Sequence, residues 1–113
     1  MALDMDTYQK WTKTTAVYPG QGSITGVMYC SLGLAAESGE IANNIKKIFR
    51  DMHGNVTPEE RAKLSKEYGD ALYYLARGAA ELGLSLGDIA GENMRKLEDR
   101  KNRGVLNGSG DNR

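Results

Sequence analysis

Glu37 and Glu40 stand three residues apart, and so do Glu67 and Asp70; no other acidic pair in the chain has that spacing. On a helix, residues three apart share a face, so each pair can converge on one point. Between Lys13 and Lys46 the only charged residues are Glu37 and Glu40, set among Leu34, Ala35, Ala36 and Ile41. Two uncompensated carboxylates beside a core repel each other and lose solvation, and a divalent cation relieves both penalties. Lys63 and Lys66 precede Glu67 and Asp70 by four residues, but Tyr68, Ala71, Tyr73 and Tyr74 mark that second pair as partly buried too. The competing reading is four solvated surface acids. With oxygen donors alone and no histidine three residues on, the set suits Mg²⁺, with Mn²⁺ able to substitute, rather than zinc or a di-iron centre.

A second constellation follows downstream. Ile89, Asn93, Lys96 and Arg100 fall on one helical line. An amide in the middle of a core-facing stripe needs partners, so Asn93 is either a satisfied core hydrogen bond or a ligand group. Lys96 and Arg100 extend the line with the positive charge a polyphosphate requires. Acids that hold metal beside a basic line make a phosphate-transfer site. No Walker A loop or dinucleotide fingerprint is present, and the single histidine, His53, lies at a helix end and suits a cap or surface residue better than a ligand. Trp11 serves either to stack on a base or to fill an amphipathic core.

Four helices must carry these residues. The spacing of Tyr8 and Trp11 predicts a short first helix from Asp4 to Thr15, broken by Tyr18-Pro19-Gly20-Gln21-Gly22. A second runs from about Ser23 to Met52 with Leu34, Ile41, Ile45, Ile48 and Phe49 as its apolar stripe. Its glycines Gly26, Gly33 and Gly39 each cost roughly 1 kcal/mol of helicity and imply close packing or an irregular start. His53-Gly54-Asn55 ends it, and Thr57-Pro58-Glu59-Glu60 supplies the N-cap, N1 proline and capping-box glutamate of a third helix, Glu59 to about Leu82. Leu64, Tyr68, Ala71, Leu72, Leu75 and Ala79 stripe it. Gly83 stops it, and Ser85 caps a fourth helix to about Lys101 with Leu86, Ile89, Ala90 and Leu97 inward. No strand-like alternation or repeat appears. The expectation is an all-α, four-helix-bundle-like single domain over 1–113, completed by a second subunit, with 104–113 a flexible or ligand-ordered tail.

Composition narrows the function. A chain of 113 residues is one small domain, for which association is a reasonable expectation. Its 15 basic and 15 acidic residues cancel, leaving no field for a nucleic-acid polymer. One cysteine allows no internal disulfide, and neither a secretory signal nor a membrane-length apolar run is present. A cytoplasmic protein with no membrane partner is expected, so the sequons at Asn55 and Asn107 are chance matches.

The stretch Leu32-Gly33-Leu34-Ala35-Ala36-Glu37-Ser38-Gly39-Glu40-Ile41, followed by Glu67-Tyr68-Gly69-Asp70, resembles the all-alpha nucleoside triphosphate pyrophosphohydrolases of the MazG type. Asn93-Met94-Arg95-Lys96-Leu97 and the ending from Arg103 to Arg113 resemble small phage and bacterial members, and the likeness runs from about Tyr18 onward. It implies that Glu37, Glu40, Glu67 and Asp70 bind Mg²⁺, that Tyr74 and Asn93 contact the nucleotide, and that Lys96 contacts its phosphates. It also implies conversion of a nucleoside triphosphate, with dGTP favoured, to monophosphate and pyrophosphate, with Glu37 or Glu40 orienting the attacking water. Members are typically dimers or dimers of dimers, so a homodimer or homotetramer is implied, with the fourth helix or tail completing a neighbour's site. A phage-encoded member would work in the host cytoplasm. Ala36 departs from the glutamate that often opens the first motif. Two other classes compete: a non-catalytic helical interaction module, and a regulator that binds a guanosine polyphosphate alarmone.

Overall fold

A computed structural model describes residues 2–113. Four α-helices and one 3-10 turn make up the regular structure among them. Helix α1 spans Met5–Thr12 and passes into the 3-10 turn Lys13–Thr15. Helices α2, α3 and α4 span Ile24–Met52, Pro58–Glu81 and Leu86–Asn102.

Local chemistry accounts for the ends. The Asp4 carboxylate accepts from the Thr7 amide at 2.7 Å and starts α1. Thr57 accepts from the Glu60 amide at 3.1 Å with Pro58 at the first helical position, and Ser85 accepts from the Asp88 amide at 3.1 Å. His53 closes α2 in the left-handed conformation at φ 52°, an uncommon state for a residue with a side chain, and so acts as the expected cap.

Helices α2 and α3 form a long hairpin joined by the short 53–57 link, and their packing dominates the molecule. Helix α1 lies across α3, where Tyr8 packs on a small core of Ala76, Ala79 and Leu86. Cys30 and Ile48 are buried in α2. A polar network ties the loop before α2 to α3. The Arg77 guanidinium, 5% exposed, donates to the Tyr18 and Thr12 hydroxyls at 3.3 Å each, and Tyr18 in turn donates to Glu81. Buried polar groups of this kind are tolerated because each has a partner.

Helix α4 departs from expectation. It leans on α1 and barely touches α2 or α3. Leu86 is buried and Ala90 half-buried as expected, but Ile89 and Leu97 are exposed, and Asn93 stands in the open rather than in a core stripe. The apolar stripes of the hairpin are likewise not all interior: Ile45, Phe49, Tyr68, Leu72 and Leu75 are exposed. Helical periodicity reports which residues share a face, and a single chain does not supply enough surface to cover every such face.

After α4 the chain folds back on its helix. Arg100, 5% exposed, donates to the carbonyl oxygens of Asp111 at 2.8 Å and Gly110 at 3.4 Å. The Arg113 guanidinium spans the carbonyls of Val105, Leu106 and Gly110. No helix among the described residues is long and apolar enough to cross a membrane.

Candidate functional site

Glu37 comes from the middle of α2, and Glu67 and Asp70 from the middle of α3. One carboxylate oxygen from each lies within 4.8 Å of the others, with Glu37 and Glu67 half-buried and Asp70 exposed. Glu40, one turn beyond Glu37, is exposed and does not join that group. Two packed helices run side by side over a short zone, so a pair on one need not meet both members of a pair on the other.

The close approach has a visible cause. One turn before Glu37, a β-carbon on Gly33 would fall 2.5 Å from the Tyr74 ring, and Tyr74 stands one turn after Asp70. The missing side chain lets the ring lie against α2. Gly26 packs closely too, against the Gly20 carbonyl and Glu81, whereas Gly39 faces open space.

Loss of solvation pushes the Glu37 carboxyl above its usual value, reinforced by a hydrogen bond with Glu67 and by the charges of Asp70, Glu67 and Glu40. No lysine or arginine among the described residues forms an ion pair with any of these acids, so Lys63 and Lys66 do not neutralise Glu67 and Asp70. An uncompensated, oxygen-only donor set on two rigid helices fits a hard divalent cation.

The remaining sequence candidates are dispersed. Tyr74 borders the acids and lines a cleft of about 170 Å³ with Val17, Tyr18, Pro19, Tyr29 and Tyr73. Within it Tyr18 and Tyr29 stack at 5.6 Å, and Tyr73 meets Tyr74 edge-on at 5.4 Å. Trp11 is exposed on α1, stacked on Tyr8, and does not line that cleft. Asn93 and Lys96 line an open groove on α4 with Ile89 and Glu92. Lys96 and Arg100 face the Asp111 carboxylate, at 3.7 and 3.6 Å. Within one chain, therefore, Asn93 and Lys96 line a different groove from the tyrosine cleft, and neither groove's lining includes Glu37, Glu67 or Asp70. Tyr18, Tyr29 and Tyr73 line the tyrosine cleft beside Tyr74, although the sequence marks Tyr18 only as part of a turn and Tyr73 only as part of a partly buried face.

The MazG nucleotide pyrophosphohydrolase domain matches residues 29–105, which contain the hairpin acids and all of α4. The chain belongs to the MazG family of nucleoside triphosphate pyrophosphohydrolases, a family typically dependent on divalent metal. It is 46% identical over 114 residues to the Gene 37 protein of Mycobacterium phage L5, an alignment covering 98% of this chain and all of that relative. No solved structure gives a significant match.

Proposed function

We propose that the protein hydrolyses deoxynucleoside triphosphates, dGTP foremost, to the monophosphate and pyrophosphate, with Mg²⁺ held by Glu37, Glu67 and Asp70. The observation that carries this reading is the convergence of those three carboxylates within 4.8 Å, without a cation partner. Bound there, Mg²⁺ supplies charge neutralisation on the phosphates and acidifies water. Mn²⁺ has the same preference for oxygen donors and can replace it.

Glu40 stands one turn from Glu37, exposed and outside the converged group, which leaves it available to orient water and take its proton. Glu37 is the other candidate for that task. The water oxygen forms the new bond to the α-phosphorus, the bond from that phosphorus to the bridging oxygen breaks, and pyrophosphate leaves with the bridging oxygen. The tyrosine cleft offers ring faces for the base, with Tyr74 between it and the acids; stacking of this kind tolerates any base and is worth about 1–3 kcal/mol. Trp11, on α1 outside the cleft, suits a role at the surface of the first helix rather than base stacking.

From α4, Asn93 contacts the nucleotide and Lys96 its phosphates, whereas Arg100, buried against the carbonyls of Gly110 and Asp111, holds the tail and is not open to a phosphate. The weak contact of α4 with the acid-bearing hairpin, and the apolar faces left open on α2 and α3, favour a homodimer or homotetramer in which α4 or the tail completes a neighbour's site. The phage origin of the 46% identical relative supports the host cytoplasm as the place of action.

A product assay tests the reading. Each common NTP and dNTP is incubated with Mg²⁺ or with chelator, and products are resolved by anion exchange. Monophosphate plus pyrophosphate, lost with chelator, is the expected result. Diphosphate plus phosphate would overturn the bond assignment, and absence of turnover would overturn the enzyme reading in favour of a binding module or an alarmone-binding regulator.

A further inference from the structure

Helix α4 carries Asn93, Lys96 and Arg100, yet its one substantial neighbour is α1. Beside the packing of Tyr8 on the core that holds Leu86, two polar side chains of α1 make that junction. The buried Gln9 amide nitrogen donates to the carbonyl oxygens of Ala76 in α3 at 3.1 Å and of Leu84 in the connecting turn at 2.9 Å. Its amide oxygen accepts from the backbone N–H of Leu86, the first residue of α4, at 3.0 Å. Glutamine is the side chain whose two donors and one acceptor match this set at this reach. One turn earlier, the Asp6 carboxylate accepts from the Ser85 hydroxyl at 2.8 Å and the Gly87 N–H at 3.0 Å, gripping the start of α4 where free amides and the helix dipole favour an anion. A β-carbon on Gly87 would stand 2.8 Å from that carboxylate.

All of Gln9's partners are backbone groups, so they report the path of the chain rather than the identity of neighbouring side chains. From the Asp6–Gly87 contact outward, α1 and α4 enclose an open groove of about 540 Å³ that continues past Ala90 and Gly91 to Met94. The two helices are therefore joined firmly at the base of α4 and loosely along it. A small change of angle at such a base moves the far end of a rigid 17-residue helix by several times the displacement at its start.

We propose that Gln9 and Asp6 are positioning residues that aim α4, and with it Asn93 and Lys96, at the nucleotide's phosphates. The inference rests on the reading of α4 as the phosphate-binding helix. Both residues lie outside the 29–105 segment that matches the family model.

Nitroxide labels at Ser65→Cys and Lys101→Cys, both exposed positions, measure the distance between α3 and the end of α4 in the full chain, diluted with unlabelled protein. Cys30 is fully buried and is spared. Gln9→Ala removes every contact of the side chain, while Gln9→Glu keeps the acceptor for Leu86 and loses both donors. Each is expected to broaden or shift the distance distribution. In turnover assays on the unlabelled variants, KM rises about tenfold while kcat stays within about twofold, because the acids on α2 and α3 are untouched. Where the Gln9 variants fold poorly, Asp6→Asn and Gly87→Ala perturb the same junction more gently. An unchanged distance distribution overturns the aiming role whatever the activity. A changed distribution with unchanged KM overturns its link to the phosphates. Wild-type protein without turnover on any nucleotide would instead defeat the proposed function, and the distance measurement would still decide whether α1 aims α4.

Discussion

The ring of Tyr74 occupies the place where any side chain on Gly33 would stand, 2.5 Å from the position of its β-carbon. This contact brings α2 against α3 one turn from Glu37 on one side and one turn from Asp70 on the other. The spacing of the acids is thereby coupled to a packing contact that contains no charge.

Gly33→Ala should separate the helices at that point. Overpacking of this kind costs about 1–3 kcal/mol, read as a lowered melting temperature. The stabilisation conferred by Mg²⁺ should fall as well, because the ring must move before Glu37 and the α3 acids can converge. A variant with normal stability and an undiminished Mg²⁺ response would show that the contact does not set the site.

Asp70→Asn and Glu40→Gln should separate metal holding from proton transfer. Removing a ligand abolishes the Mg²⁺-dependent rise in melting temperature and lowers turnover on the order of a hundredfold or more. Glu40→Gln should keep that thermal response while losing turnover, since Glu40 stands outside the converged acids. Equal loss of the thermal response in both variants would assign Glu40 to the metal instead.

The helices themselves were legible because their ends are written locally. Thr57-Pro58 and Ser85 cap where they should, and His53 stops α2. The two acidic pairs were legible as pairs, but spacing along one helix carries no information about the crossing of two. Hence the convergence of Glu37 with Glu67 and Asp70, leaving Glu40 apart, emerged only with the packing. The direction of α4 was illegible for a similar reason. It depends on Gln9 and Asp6, which bond to atoms 67 to 81 residues away and look like ordinary polar residues of an amphipathic helix. Asn93 is expected in a core stripe because its periodicity is correct, yet no surface among the described residues buries it.

Stability in acid should depend on Glu81. Its carboxylate accepts from the Tyr18 hydroxyl and from the Gly22 N–H at 2.8 Å, which hold its carboxyl below the usual value against the opposing pull of burial. A carboxyl lowered on folding contributes stability that is fully present above its unfolded value, about 4.3, and is lost as pH falls through the lowered folded value. The difference in melting temperature between wild type and Glu81→Gln should therefore be largest near neutrality and shrink below about pH 4. A difference that stays constant into acid would assign the residue a role in packing alone.

Leu72→Asp should dissociate the assembly. Tyr68, Leu72 and Leu75 follow one exposed face of α3, and a charge in its centre is incompatible with a buried contact between subunits. Sedimentation should show a dimer or tetramer for wild type and a monomer for the variant, with turnover reduced in parallel. A wild-type monomer with full activity would sink the shared-site arrangement.

Cys30 gives this molecule a built-in reporter. It is the chain's one cysteine, fully buried where the wall of α2 faces Gly78 of α3. Burial also holds its thiol above the usual value, so the reactive thiolate is scarce in the closed state. A thiol reagent can reach the sulfur only when the packing around it opens, and the labelling rate at native conditions becomes a clock for that opening. A ligand that clamps the two helices together from the acid cluster should slow the clock without touching the cysteine.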